Sequence, residues 1–104
     1  MGIIATPGQR DVEPQHPAYW LALAFGAADD AKHHARTVAR AVRTGDVAEA
    51  REAAQAVAVS AAQARHGADQ AAWHAPRDAE EARAYAAQAE TIARHAWEQA
   101  EALA

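Results

Sequence analysis

Three stretches of this chain carry an apolar residue at alternating spacings of four and three, and that pattern leaves few folds open. The first selects Leu21, Ala24, Ala28, Ala31, Ala35, Val38 and Val42. The second selects Val47, Ala50, Ala54, Val57, Ala61, Ala64, Ala68, Ala71 and Ala75. The third selects Ala79, Ala82, Ala86, Ala89, Ala93, Ala96, Ala100 and Leu103. A residue every 3.5 positions stays on one face of a helix, and unbroken heptads favour coiled-coil-like packing. In a chain that is 51% hydrophobic, one such run arises by chance; three in step are a signal. Methyl-sized seam residues let helix axes approach to about 8 Å.

Composition agrees. Alanine, the strongest helix former, supplies 34 of 104 residues. Proline stands only at positions 7, 14, 17 and 76, and β-branched residues are scattered, so strands have no support. The expected fold is all-α: an antiparallel three-helix up-down bundle with Ala-rich heptad seams over residues 17–104, preceded by an irregular N-terminal arm over 1–16. The arm holds Pro7, Gly8 and Pro14 and lacks periodicity; Ile3, Ile4 and Val12 are the residues through which it would pack.

Punctuation sets the helices at about 17–44, 46–75 and 77–103. Pro17 suits a first turn, and Gly45 supplies a left-handed terminator. Asp46-Val47-Ala48-Glu49 and Asp78-Ala79-Glu80-Glu81 both read as capping boxes. Gly26 and Gly67 are interior weak points, each costing about 1 kcal/mol relative to Ala. Pro76 closes the second helix. Three rods of similar length, about 40 Å, with short connections favour antiparallel neighbours.

Several functions are disfavoured. No cysteine is present, which removes disulfides and thiolate chemistry. Fourteen acidic against ten basic residues do not advertise nucleic-acid binding. The longest apolar run, Ala18–Ala28, is well short of the roughly 20 residues a membrane helix needs. Asp11, Glu13, Pro14 and Pro17 before it are the wrong flank for export. The start Met1-Gly2-Ile3-Ile4-Ala5-Thr6 fits the myristoylation pattern only loosely. A cytoplasmic, non-membrane protein is expected. Ser60 is the only serine and falls mid-helix without a base, and no phosphate loop occurs, so neither an enzyme nor a bound cofactor is expected.

Alanine buries little area, and apolar stabilisation scales with area at about 25 cal/mol per Å². A bundle with so few large side chains is expected to associate with itself, as a homodimer, or with a protein partner. The competing reading is a monomer held by helix propensity and tight packing. A second stripe on helix 2 opposite its seam, Val59, Gln63, His66, Gln70 and Trp73, offers the surface, with Trp73 as anchor. Tyr19, Trp20, Trp73 and Tyr85, with His16 and His74, gather toward one end of the bundle, as a small compensating core or a ligand pocket. Tyr85 and Ile92 widen the seam of helix 3.

Two weaker constellations remain. Asp29/His33 and Asp30/His34 are i,i+4 pairs, and Asp30, His34 and His95 form a candidate metal set, against which the outward phase of His33 and His95 counts. Lys32, Arg36, Arg40 and Arg43 line one side of helix 1. They suit phosphate contact or, more simply, balance Glu90, Glu98 and Glu101 across the bundle.

Overall fold

The computed structural model describes His16 and residues 18–104; the N-terminal arm expectation, with Ile3, Ile4 and Val12, falls outside the described residues. Three antiparallel helices follow in order: α1 (Tyr19–Thr44), α2 (Val47–His74) and α3 (Ala79–Leu103), with a 3₁₀ turn over Pro76–Asp78 before the last. Each helix packs against both others, so the chain is an all-α three-helix bundle.

Local chemistry explains each boundary. His16 makes a turn just ahead of α1: its Nδ1 accepts from the Ala18 N–H at 3.0 Å and its carbonyl from Tyr19 N–H at 2.9 Å. At the other end Gly45 has φ 75°. Its N–H donates to Val42 O at 3.2 Å, while Asp46 N–H donates to Ala41 O at 2.9 Å. These paired bonds around a left-handed residue form a Schellman motif. Asp46 then opens α2 at once, accepting from Glu49 N–H at 3.0 Å. Only this half of the expected box forms, because Asp46 N–H is already committed to the end of α1.

The second expected box does not form. Ala75 takes φ −148° and ends α2 at His74, and Pro76–Asp78 wind into a 3₁₀ turn. Asp78 sits at φ −93°, ψ −6° and makes no side-chain cap bond. A capping side chain reaches its N–H from extended backbone, which Asp78 lacks.

Every residue of the three heptad seams is buried or half-buried. Among the described residues only Val38 and Val57 are large side chains that are fully buried; the rest of the core is almost entirely alanine. Trp20, Leu21, Tyr85 and Ile92 pack on it from its edges. α2 presents a second buried line, Ala53, Ser60 and Gly67, at heptad spacing. Gly67 shows why these residues are small. A Cβ there would lie 2.9 Å from Trp20 O and 3.0 Å from Ala24 N. Gly67 is therefore the point where the backbone of α1 crosses α2, rather than merely a weak position in a helix.

Candidate interaction surface

The outer stripe of α2 is largely exposed. Val59, Gln63, His66 and Trp73 face outward and Gln70 is half-buried. Val59 is 49% exposed and Trp73 82%. Trp73 follows His66 by one heptad and Val59 by two, so these three stand in one row.

Trp20, by contrast, is held. Because Gly67 admits the α1 backbone, the indole of Trp20 reaches α2. Its ring meets His66 edge-on at 5.8 Å, stacks on His74 at 5.9 Å, and touches Tyr19 edge-on at 4.7 Å. A second pair, Phe25 and Tyr85, joins α1 to α3 edge-to-face at 5.2 Å. The aromatic end is thus two separate groups, and Trp73 belongs to none of the four ring pairs found among the described residues. Phe25, 50% exposed, and Trp97, 43% exposed, lie outside every surface the sequence points to. Their phase was the available signal: Trp97 directly follows the seam residue Ala96, and Phe25 follows Ala24.

The metal set does not assemble. Asp30 and His95 are exposed and His34 is half-buried. The described residues hold no group of three or more His, Asp or Glu side chains placed to bind a metal ion. His95 instead borders a shallow hollow of about 330 Å³ with Glu98, Gln99 and Ala102. Another hollow, about 380 Å³, lies between His16, Ala18, Ala75, Pro76, Arg77 and Asp78. Ser60, 5% exposed, is closed off in the core.

The charges arrange themselves differently from expectation. Arg65 on α2 grips Glu90 on α3 in a two-pronged contact, Nε to Oε2 at 2.9 Å and Nη2 to Oε1 at 2.7 Å. The hydrogen bonds from Arg65 hold the Glu90 carboxyl below the usual carboxylate range and raise Arg65 in turn. Partial burial, and then the bond its hydroxyl donates to Glu81 at 3.3 Å, raises the Tyr85 phenol. Lys32, Arg36, Arg40 and Arg43 are exposed and make no ion pair among the described residues. Among the described residues none of them pairs with Glu90, which Arg65 occupies, or with Glu98 or Glu101.

No helix among the described residues is long and apolar enough to cross a membrane. Compared with known proteins, the chain matches no family model, no curated protein and no solved structure.

Proposed function

We propose that the chain is a non-enzymatic helical interaction module, a regulator, adaptor or immunity-type partner, that docks a protein through the α2 stripe. Trp73 is the anchor, Val59 and His66 extend the row, Gln63 and Gln70 form its polar edge, and Trp20 with Tyr19 borders it at the aromatic end. One observation carries this reading: Trp73 is 82% exposed in a chain whose core is built from methyl groups. The bundle places alanine inside and leaves one of its tryptophans largely in water. A tryptophan offers roughly 150–250 Å² for burial, on the order of 4–6 kcal/mol before the costs of association.

The occupant is a protein partner, a second copy of the chain included. Sedimentation of the purified chain, together with capture from its native lysate, tests the surface. Trp73→Ala is expected to weaken association by about tenfold or more while far-UV circular dichroism is unchanged. Equal self-association and equal capture by the variant and the parent chain would remove the proposal.

A further inference from the structure

A different flank of the molecule combines an exposed ring with unbalanced positive charge. Phe25, Asp29, Lys32, Arg36 and Arg43 follow i, i+4, i+7, i+11 and i+18 along α1, which places them on one face. The contact of Phe25 with Tyr85 sets that face beside α3. Since α1 and α3 both run antiparallel to α2, they run parallel to each other. One heptad further on, about 10 Å, Lys32 is therefore level with Ile92, and Arg36 and Arg43 with the stretch from His95 to Leu103.

Among the described residues the carboxylates of this flank are few. Asp29 lies among the cations, and Glu81 accepts from Tyr85 at the upper end. Glu90 is on the opposite flank of α3, held by Arg65. Arg43 suits the carbonyl end of α1 without further explanation, being in its last turn. Lys32 and Arg36 are mid-helix, exposed, and in no ion pair among the described residues, so neither dipole nor partner accounts for them.

We infer that the exposed flank shared by α1 and α3 seats an acidic amphipathic helix from a partner protein. An apolar side chain of that helix lies against Phe25 and Tyr85. Its Asp or Glu residues, one and two heptads further on, meet Lys32, Arg36 and Arg43. The charge surplus on this flank selects the sign of the partner, and the exposed ring supplies the anchor that a charge patch alone lacks. A nucleic acid fits less well, because the chain as a whole carries −4 and would repel a dense polyanion outside these few cations.

The probe is a labelled three-heptad peptide, about 21 residues, with Leu at the seam positions and Glu elsewhere. A counterpart has Gln for Glu; oligothymidine and phosphatidylserine vesicles stand for the other anions. Titration with the full chain is followed by fluorescence anisotropy, and for vesicles by co-sedimentation. The Glu peptide is expected to bind. Its affinity should fall about tenfold when salt rises from about 50 to about 300 mM, and about tenfold in Lys32→Gln/Arg36→Gln. Phe25→Ala should weaken it similarly, and Trp73→Ala should leave it unchanged, which separates this flank from the α2 stripe. If Phe25→Ala loses helicity, the exposed Lys32→Gln/Arg36→Gln pair still decides. Equal binding of the Gln peptide overturns the inference, as does indifference to the cation substitutions. So does binding of oligothymidine or vesicles without the peptide, or a peptide excluded because copies of the chain already associate through this flank.

Discussion

Two glycines of this bundle are required for unrelated reasons, and substitution separates them. At Gly45 a Cβ meets nothing within 4 Å, but φ is 75°. Gly45→Ala should cost about 1–2 kcal/mol through the left-handed backbone alone. At Gly67 the backbone is ordinary helix and the obstruction is spatial, from Trp20 O and Ala24 N. Both are backbone atoms and cannot turn aside, so α1 itself must move. Overpacking of this kind costs about 1–3 kcal/mol, against about 1 kcal/mol gained in helix propensity. Gly67→Ala should therefore lower stability by up to about 2 kcal/mol in urea unfolding and loosen the contact of Trp20 with His66 and His74. A more stable Gly67→Ala would refute the close crossing. Glu90 offers a titration at the same scale. Its folded pKa lies below the unfolded value of about 4.3, so the contribution of its pair with Arg65 is complete above that pH and is lost as pH falls through the folded value. The two side chains are 37% and 44% exposed, so solvent screens them and about 0.5 kcal/mol is the scale. Glu90→Gln should cost that much near neutral pH in low salt, and progressively less as pH falls below about 4.3 or as salt rises to about 1 M.

At the scale of elements, the two aspartates that read alike from sequence are not alike in the fold. Asp46 holds Glu49 N–H at the start of α2, whereas Asp78 holds no N–H of α3. Asp46→Ala should cost about 1 kcal/mol and Asp78→Ala nearly nothing, as read from thermal unfolding by circular dichroism. Equal losses would mean that Asp78 caps α3 after all. This contrast shows where the sequence stops being legible. The seams were readable because a helix face depends only on spacing, and each selected residue, from Leu21 to Leu103, is at least half-buried. The outward phase of Val59, His66 and Trp73 follows from the same arithmetic. What spacing does not encode is the residue-level path of a turn and the depth of a crossing. Pro76 directs a 3₁₀ turn that consumes Asp78. The position of Trp20 over His66 and His74 depends on α1 meeting α2 at Gly67, a tertiary fact invisible in either helix alone. The pairing of Arg65 with Glu90, instead of Glu90 with the cations of α1, depends on how α3 is rotated between its two neighbours.

Across the whole molecule, apolar size runs opposite to depth. Val38 and Val57 are the largest side chains fully enclosed, while Phe25, Val59, Trp73 and Trp97 are at least two-fifths exposed. An interior of methyl groups has no slack: a leucine at Ala64, which is 0% exposed, has no space to enter except by separating helices. Ala64→Leu should destabilise by about 1–3 kcal/mol or more, although it adds apolar area. The exterior behaves conversely. For the isolated monomer, Trp73→Ala should change stability by no more than about 0.5 kcal/mol, because a side chain in water contributes little to folding. Assembly would alter that result in a recognisable way. If copies of the chain associate through Trp73, the melting temperature of the parent chain rises with concentration and that of Trp73→Ala does not. A heterologous partner leaves both melting temperatures independent of concentration, and the difference appears only when that partner is added. A large loss for Trp73→Ala at every concentration contradicts both outcomes: it would mean that the indole is already covered within a single chain, and the α2 stripe would then be part of the core rather than a docking surface.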